Sequence, residues 1–332
     1  MIIAIVHNTV SESSSIDEKD VLDQVKAVSS ALTELGHTYF TLDCSLNLEK
    51  IAEALNKKKP DIVFNLVESI NGEGRLIHLF PSVLDSLKIP YTGSYTEAVF
   101  ITSNKILAKE KMASENIPTP LWINSVFHPH YNLPPSRWKG LEKLKKVRWI
   151  IKSVWEHASI GIDDESIIDN DDISIIQKII HKKAKKYGKD FFAEAYIEGR
   201  EFNISLLETN NGLQILPIAE IIFEGYEANK AKIVDYKAKW DEQSFEYVNT
   251  KRCFNTIAQD APIFSVLSDI CKKCWSVFGL KGYARIDLRL DENNQPFVLE
   301  VNTNPCLSPD AGFSAALEES GIPFYKAISF II

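Results

Sequence analysis

Short apolar runs alternate with segments of helical period over residues 2–67, and this order constrains the fold more than any other feature of the chain. Ile2-Ile3-Ala4-Ile5-Val6 has the character of a strand. Val21, Leu22, Val25, Val28, Leu32 and Leu35 then recur at helical spacing, and Gly36 stops the pattern. His37 to Leu42 reads as a second strand. Leu48 to Leu55 is helical, Pro60 breaks it, and Ile62 to Val67 reads as a buried third strand. A β-α-β-α-β order of this kind predicts a parallel, doubly wound sheet over residues 1–100. Ligands of such sheets sit beyond the carboxyl ends of the strands. Those ends carry His7 and Asn8, Asn65 and Glu68, and then Asn71-Gly72-Glu73-Gly74-Arg75.

Past residue 90 the pattern changes. Pro90 to Ser94 reads as a short strand and turn. Residues 96–116 read as a helix that contains Lys105, closed by Ile117-Pro118-Thr119-Pro120. Phe127 to Lys146 is irregular, Pro-bearing and basic, which fits a solvated charged loop or a lid. Trp149 to Lys152 is a strand ending in a lysine, and residues 173–186 are helical. Strand patterns follow at Phe191 to Ile197, Glu201 to Leu207 and Leu213 to Ile222. Tyr283 to Leu290 and Phe297 to Val301 flank an Asp291-Glu292-Asn293-Asn294 turn, the pattern of a β-hairpin.

The length of 332 residues suggests two or three modules. Lys plus Arg number 37 against 45 Asp plus Glu, a net charge of −8, which argues against general nucleic-acid binding. No apolar run approaches the ~18–20 residues of a membrane span, and the N-terminus reads as a strand rather than a leader. Five cysteines make no disulfide scaffold. Cys271-Lys272-Lys273-Cys274 lacks a second ligand pair and falls in a helical segment, 263–278, so it reads as helix residues rather than a zinc site. The expectation is a cytoplasmic chain with free thiols and no nucleic-acid or membrane partner.

The hairpin carries the chemistry. Arg285 and Asp287 lie two apart on one strand, Glu300 and Asn302 two apart on the other, so each pair shares a face. Asp, Glu and Asn form the hard oxygen set that Mg²⁺ prefers, and Mg²⁺ sites usually share their metal with phosphate. Arg285 could hold a phosphate or a developing anion. Such residues also flank many purely structural hairpins. Lys105 and Lys152 stand near apolar elements, where they read either as phosphate ligands or as solvated lysines, and Lys239 lies in Asp235-Tyr236-Lys237-Ala238-Lys239-Trp240. Lysines with a carboxylate–Asn cluster and no Gly-rich Walker loop suggest an ATP site of another kind.

A series of segments in order along nearly the whole chain resembles the ATP-grasp superfamily, and within it the D-alanine–D-alanine ligases. Pro90 to Ser94 with Thr102-Ser103-Asn104-Lys105 is similar to the family's "PYTGS…DK". Trp149 to Lys152 is similar to its "PVIVKP" strand, and Glu194 to Ile197 with Gly199-Arg200-Glu201-Phe202 to its "E-x-x-[LI]-x-G-x-E". Asp235 to Lys239 resembles "Y-x-A-K", Tyr283 to Leu290 "G-x-x-R-x-D", and Leu299 to Pro305 "L-E-x-N-x-x-P". The resemblance implies α/β and α+β architecture in an ATP-grasp fold. It has an N-terminal doubly wound parallel-sheet domain (1–103), a small central subdomain (104–189) and a C-terminal antiparallel-sheet catalytic subdomain (190–332). ATP would lie between the last two. Lys105 and Lys152 would meet its phosphates. Glu194, Ala195, Tyr196 and Ile197 would hold adenine, largely by backbone atoms, and Glu201 the ribose. Asp287, Glu300 and Asn302 would hold two Mg²⁺, for which Mn²⁺ can substitute. Lys239 and Arg285 would neutralise the transferring phosphoryl group, and Ser159 would belong to a loop closing over it.

The implied reaction is the ATP-dependent joining of a carboxylate to an amine through an acylphosphate, with release of ADP and phosphate. The substrate half departs from the family. The first-loop Glu is matched only by Glu12. The His after the third strand becomes Glu68, the Tyr after Lys239 becomes Trp240, and the serine expected for the second substrate falls on Ala311. A site built to hydrogen-bond one group discriminates against partners lacking it. The expectation is therefore a ligase for another amino acid or small peptide, with Glu68, Asn65, Arg75, Trp240 and Asp310 as candidate specificity residues. D-alanine–D-alanine ligase itself, a non-catalytic ATP-binding regulator and a phosphotransferase are the alternatives. The family is often homodimeric.

Overall fold

The computed structural model describes residues 1–332 apart from 13, 125–146, 157, 158, 160, 171, 228 and 229. The basic stretch Phe127 to Lys146, read as a loop or lid, lies outside the described residues.

β1 (Ile2–Asn8) is central in the first sheet because Ile3, Ala4, Ile5 and Val6 are all fully buried, which requires cover on both faces. After the single turn α1 (Ile16–Lys19), the helix α2 (Val21–Glu34) returns the chain to β2 (Thr38–Cys44). The helix α3 (Leu48–Lys58) leads to β3 (Ile62–Leu66). The strands pair in parallel in the order β2-β1-β3, and Tyr91 adds one further parallel bridge to Val63. α3 and α4 (Leu79–Leu87) cover one face through Ile51, Leu55, Phe80 and Leu84. α2 covers the other.

The single helix expected over 96–116 is two, α5 (Thr96–Ser103) and α6 (Lys105–Ser114). Asn104 divides them. Its fully buried side chain accepts from the amides of Ile106 and Leu107 at 3.0 Å each, an N-cap set inside an otherwise helical run. Lys105 thereby becomes the first residue of a helix.

The second sheet is antiparallel, in the order β4-β7-β5-β6, from β4 (Trp122–Asn124), β5 (Arg148–Ser153), β6 (Ile167–Asp169) and β7 (Phe191–Ala195). The helix α7 (Ile173–Tyr187) covers one face through Ile176 and Ile180. The third sheet begins with β8 (Arg200–Thr209). The one strand expected over Leu213 to Ile222 is two, β9 (Gly212–Ile215) and β10 (Ala219–Phe223), interrupted where Pro217 offers no amide to a ladder. Two short helices, α8 (Tyr236–Trp240) and α9 (Phe245–Asn249), precede β11 (Thr250–Cys253), and the long α10 (Pro262–Phe278) follows. The expected hairpin is β12 (Tyr283–Leu290) and β13 (Pro296–Asn302). The sheet runs β11-β10-β8-β12-β13, with β9 paired to β8. α10 buries Cys271 and Cys274 against it, so the C-x-x-C is core; burial raises the Cys274 thiol to about 12, and all five cysteines are free.

The chain ends in α11 (Gly312–Glu319) and α12 (Phe324–Ile331). α12 packs against α2, and both helices pack against β8. Ile3, Ile5, Val28, Leu32 and Phe64 share one core with Leu207, Tyr283, Phe313 and Ile328. Among the described residues no helix is long and apolar enough to cross a membrane.

Gly199 joins the second sheet to the third at φ +136°, and a Cβ there would lie 2.1 Å from the Leu290 carbonyl oxygen. Strained backbone and a clash against backbone combine, so Gly199→Ala is expected to lower stability by ~3 kcal/mol, read as a fall in the urea midpoint.

Candidate active site

One cleft of about 870 Å³ runs between the two antiparallel sheets and reaches the carboxyl ends of the first. β12 and β13 form part of its wall. Asp287 stands opposite Glu300 and Arg285 opposite Asn302. Arg285 binds Asp287 with two bonds of 2.8 Å, from Nε to Oδ1 and Nη2 to Oδ2. Asn203 donates to Oδ1 at 2.9 Å and Asn302 to Oδ2 at 3.1 Å. Burial works against the Arg285 charge, but Asp287 outweighs it and raises the guanidinium pKa. Lys239 lines the same wall. Burial and the Arg285 charge lower its pKa, while Glu300, Asp287 and Glu201 oppose them.

Lys105 reaches the cleft from the first turn of α6, with Nζ 2.7 Å from the Glu156 carbonyl and 3.3 Å from Glu300 Oε1. Lys152, on β5, lies 2.5 Å from Glu194 Oε1. Lys109 lies 2.6 Å from the other oxygen of Glu194, and both Lys109 and Glu194 are 1% exposed. Burial alone would raise the Glu194 carboxyl; the two lysine charges outweigh it and hold it at about 2. Glu194 thus orients a lysine, a role its sequence position did not suggest. Lys109 was not among the expected residues, although it stands one helical turn from Lys105 on the same face.

Ala195, Tyr196 and Ile197 line the cleft beside Ile150, Ile162, Ile233, Val234 and Leu299, an apolar slot suited to a flat ring. The Ala195 and Tyr196 amides already donate to the carbonyls of Leu121 and Arg148, 2.8 Å each. Glu201 Oε2 accepts from Arg289 Nε at 3.0 Å and Nη2 at 2.7 Å, and its Oε1 accepts no bond among the described residues. Arg289 also donates to the carbonyls of Ile197 and Lys232. Arg289 sits at even spacing from Arg285 on β12, so the period of 2 marks it in the sequence. Ser159 lines the cleft with φ +61°, and its hydroxyl donates to the Val234 carbonyl at 2.7 Å.

Of the five candidate specificity residues, Glu68, Trp240 and Asp310 line the cleft. Asn65 and Arg75 do not. Asn65 is buried and its Oδ1 accepts from the Val67 amide at 3.0 Å, closing the end of β3. Arg75 lies over the Trp155 ring, 3.7 Å from Asp190, at a separate small pocket. Glu12 is exposed and lies outside the cleft lining; α1 and the residue after it bring Asp17, Glu18 and Asp20 there instead. Asp17 Oδ1 accepts from the Tyr236 hydroxyl at 3.2 Å, and Asp20 from Ser308 Oγ at 2.9 Å. Burial, with the Asp20 and Asp17 charges, raises the Glu68 carboxyl to about 7 against the hydrogen bond from Gln24. Arg252, on β11, also lines the cleft. The sequence reading carried no strand there and so no hint of it.

A family model described as D-ala D-ala ligase C-terminus matches residues 128–332. The chain belongs to the D-alanine–D-alanine ligase family. It is 30% identical to the D-alanine–D-alanine ligase of Carboxydothermus hydrogenoformans over 92% of this chain and 90% of that one. With the Aquifex aeolicus ligase it shares 30% identity over 92% of each chain. The D-alanine–D-alanine ligase of Bacillus anthracis complexed with ATP has the same fold, with a TM-score of 0.71 at 20% identity over 100% of this chain and 96% of that one. The parallel first sheet and the C-terminal antiparallel sheet expected of an ATP-grasp ligase are what the chain builds, and the central subdomain adds an antiparallel sheet of its own.

Two predictions follow from the charges. Lys109→Met leaves a buried carboxylate with half its compensation, so stability is expected to fall by ~3 kcal/mol in urea unfolding, and by less when Glu194→Gln is present as well. For Glu68, the unfolded carboxyl ionises near 4.5 and the folded one near 7. Below 4.5 both forms are protonated and the group contributes nothing. As pH rises from 4.5 to 7 the unfolded state releases its proton first, so folding stability falls through that window. Glu68→Gln is expected to remove this fall, and at pH 8 to be more stable than wild type by on the order of 2 kcal/mol.

Proposed function

We propose that this chain is an ATP-dependent ligase that joins the carboxylate of an amino acid or small peptide to an amine through an acylphosphate, releasing ADP and phosphate. The observation that carries the reading is the convergence of Asp287, Glu300, Asn302, Arg285, Lys239, Lys105 and Lys152 on one cleft, in a chain whose relatives are named as D-alanine–D-alanine ligases. The solved relative complexed with ATP supports the choice of nucleotide.

The donor set fits a divalent cation by its chemistry. Among the described residues no three His, Cys, Asp or Glu side chains converge on a metal position. Asp287 and Glu300 supply two hard carboxylates, and Asn302, whose amide nitrogen faces Asp287, keeps its oxygen as a third donor. Two Mg²⁺ ions bound there would neutralise phosphate charge. All four strong acceptor positions of Asp287 are taken by Arg285, Asn203 and Asn302. Arg285 and the two amides thus hold the Asp287 carboxylate in place.

Each residue then has a task. Lys105 and Lys152, held by Glu300 and Glu194, are placed to meet phosphate oxygens. The Ile150–Ile233–Tyr196 slot takes adenine, and the free Oε1 of Glu201 takes a ribose hydroxyl. Lys239 and Arg285 stabilise the charge that spreads as phosphoryl transfers to the carboxylate. The Ser159 segment keeps water from the acylphosphate, which hydrolyses readily. The chain is read as three units, 1–103, 104–189 and 190–332, with ATP between the last two, and as acting in the cytoplasm.

The test is ADP release by the purified protein with Mg·ATP and a panel of single amino acids, pairs and dipeptides, D-alanine included. Release is expected with an acid–amine pair, and Asp287→Asn and Glu300→Gln are each expected to lower it by roughly 10²-fold or more. The names of the relatives favour D-alanine as the pair, while Glu68 and Ala311 favour another. Release with D-alanine alone, with formation of its dipeptide, would decide for the former. Silence across the panel with ATP still bound would favour a non-catalytic nucleotide binder.

A further inference from the structure

Arginine–carboxylate pairs recur on the third sheet, and one of them differs in kind. Arg200 meets Glu220 with two parallel bonds, Nε to Oε1 at 2.8 Å and Nη2 to Oε2 at 2.7 Å. Arg285 meets Asp287 in the same way, one nitrogen to each oxygen. A planar guanidinium fork favours this arrangement against a carboxylate. Arg289 instead places both Nε and Nη2 on Oε2 of Glu201. Oε1 is left over, with no bond among the described residues, and Glu201 lines the cleft.

The difference lies in what else holds the guanidinium. Arg289 Nη1 donates to the Ile197 carbonyl at 2.7 Å, and Nη2 also donates to the Lys232 carbonyl. Its Cζ lies 4.9 Å from the centre of the Tyr196 ring. The Tyr196 hydroxyl in turn accepts from the Lys232 amide and donates to the Lys232 carbonyl, 3.1 Å each. Arg289 is 3% exposed. Burial works against its charge, and Glu201 outweighs it. Two carbonyls from different segments thus hold the guanidinium in place, and it reaches Glu201 through one oxygen. Ile197 lines the apolar slot, as does Ile233 next to Lys232. One buried side chain therefore ties the Glu201 carboxylate to two segments of the slot.

We propose that Arg289 is a positioning residue that makes this site select a ribonucleotide: by occupying Oε2 it aims Oε1 of Glu201 at a ribose hydroxyl. This rests on the nucleotide reading above and deepens it. Arg289 acts through Glu201, since Nε, Nη1 and Nη2 are all spent on protein oxygens. A hydroxyl donating to a carboxylate makes a charge-assisted bond, roughly twice as strong as a neutral one. A carboxylate free to turn gives up that advantage, because it must first be ordered.

The test is calorimetric binding of ADP, 2′-deoxy-ADP and 3′-deoxy-ADP, each with Mg²⁺, to wild type, Arg289→Met and Arg289→Lys. Methionine keeps an apolar stem and loses every donor. Lysine keeps the charge beside Glu201 and loses the fork. Circular dichroism and urea unfolding check that each variant folds. Wild type is expected to bind ADP about tenfold more tightly than at least one of the deoxy nucleotides. That ratio should fall to within about twofold in Arg289→Met and to about threefold in Arg289→Lys. A merely structural role would weaken all three nucleotides alike and keep the ratio. Equal binding of the three by wild type, or a tenfold ratio that survives Arg289→Met, overturns the proposal. Should Arg289→Met fail to fold, Arg289→Lys decides, and an undiminished ratio there overturns it. Wild type that binds none of the three overturns the nucleotide reading and the proposal with it. The expected ratios without ADP release for any acid–amine pair would overturn the ligase reading and leave the role of Arg289 standing.

Discussion

β12 and β13 pair with Asp287 opposite Glu300, and β12 pairs on its other side with β8, which sets Asn203 opposite Asp287 and Glu201 opposite Arg289. A slip of one residue in either ladder would turn these side chains to the far side of the sheet, because the side-chain period is 2. The register is held by what lies beneath. Ala284, Ile286, Leu288 and Leu290 alternate with the polar residues and are all fully buried against α10. The apolar core on one face of this strand thus fixes the chemistry on the other.

Charge pairing is the second constraint. A cleft built to hold polyanions must keep many cations close together, and buried cations repel. The structure answers with carboxylates matched to nearly every one. The Lys109–Glu194–Lys152 group is the deepest case, with one carboxylate shared by two lysines. Such a group is weak evidence for stability in itself, since removing charges from water is costly. Its effect is positional: Lys152 has one place to be.

Much of this was legible in the sequence, for physical reasons that differ by element. The first three strands and the hairpin announce themselves by period and by turn residues. The set Arg285, Asp287, Glu300 and Asn302 follows from alternation once the hairpin is read. Asn104 misled because a buried cap inside an apolar helical run looks like one more helix residue until its neighbours are seen. Asn65 and Arg75 misled because position at a strand end does not say where a side chain turns: one bonds its own backbone and the other leaves the cleft. Arg252 was invisible because β11 is four residues of weak pattern, and its place beside Gly312 depends on pairing with β10. Asp17 and Asp20 enter the cleft through α1, whose four residues carry no periodic signal.

The first and last segments of the chain form one core, with Ile5 and Phe64 packed in the same cluster as Tyr283, Phe313 and Ile328. This joins the parallel sheet to the sheet that bears Asp287 and Glu300, so the acidic floor from Asp17 to Glu68 and the carboxylate wall keep a fixed spacing. The second sheet has its own cluster, from Ile123 to Ala193 under α7, and meets the rest through two small ones, Ile150 with Ala231 and Ile233, and Phe192 with Ile106. The wall carrying Lys152 and Glu194 is therefore anchored by far fewer apolar side chains than the wall carrying Asp287 and Glu300.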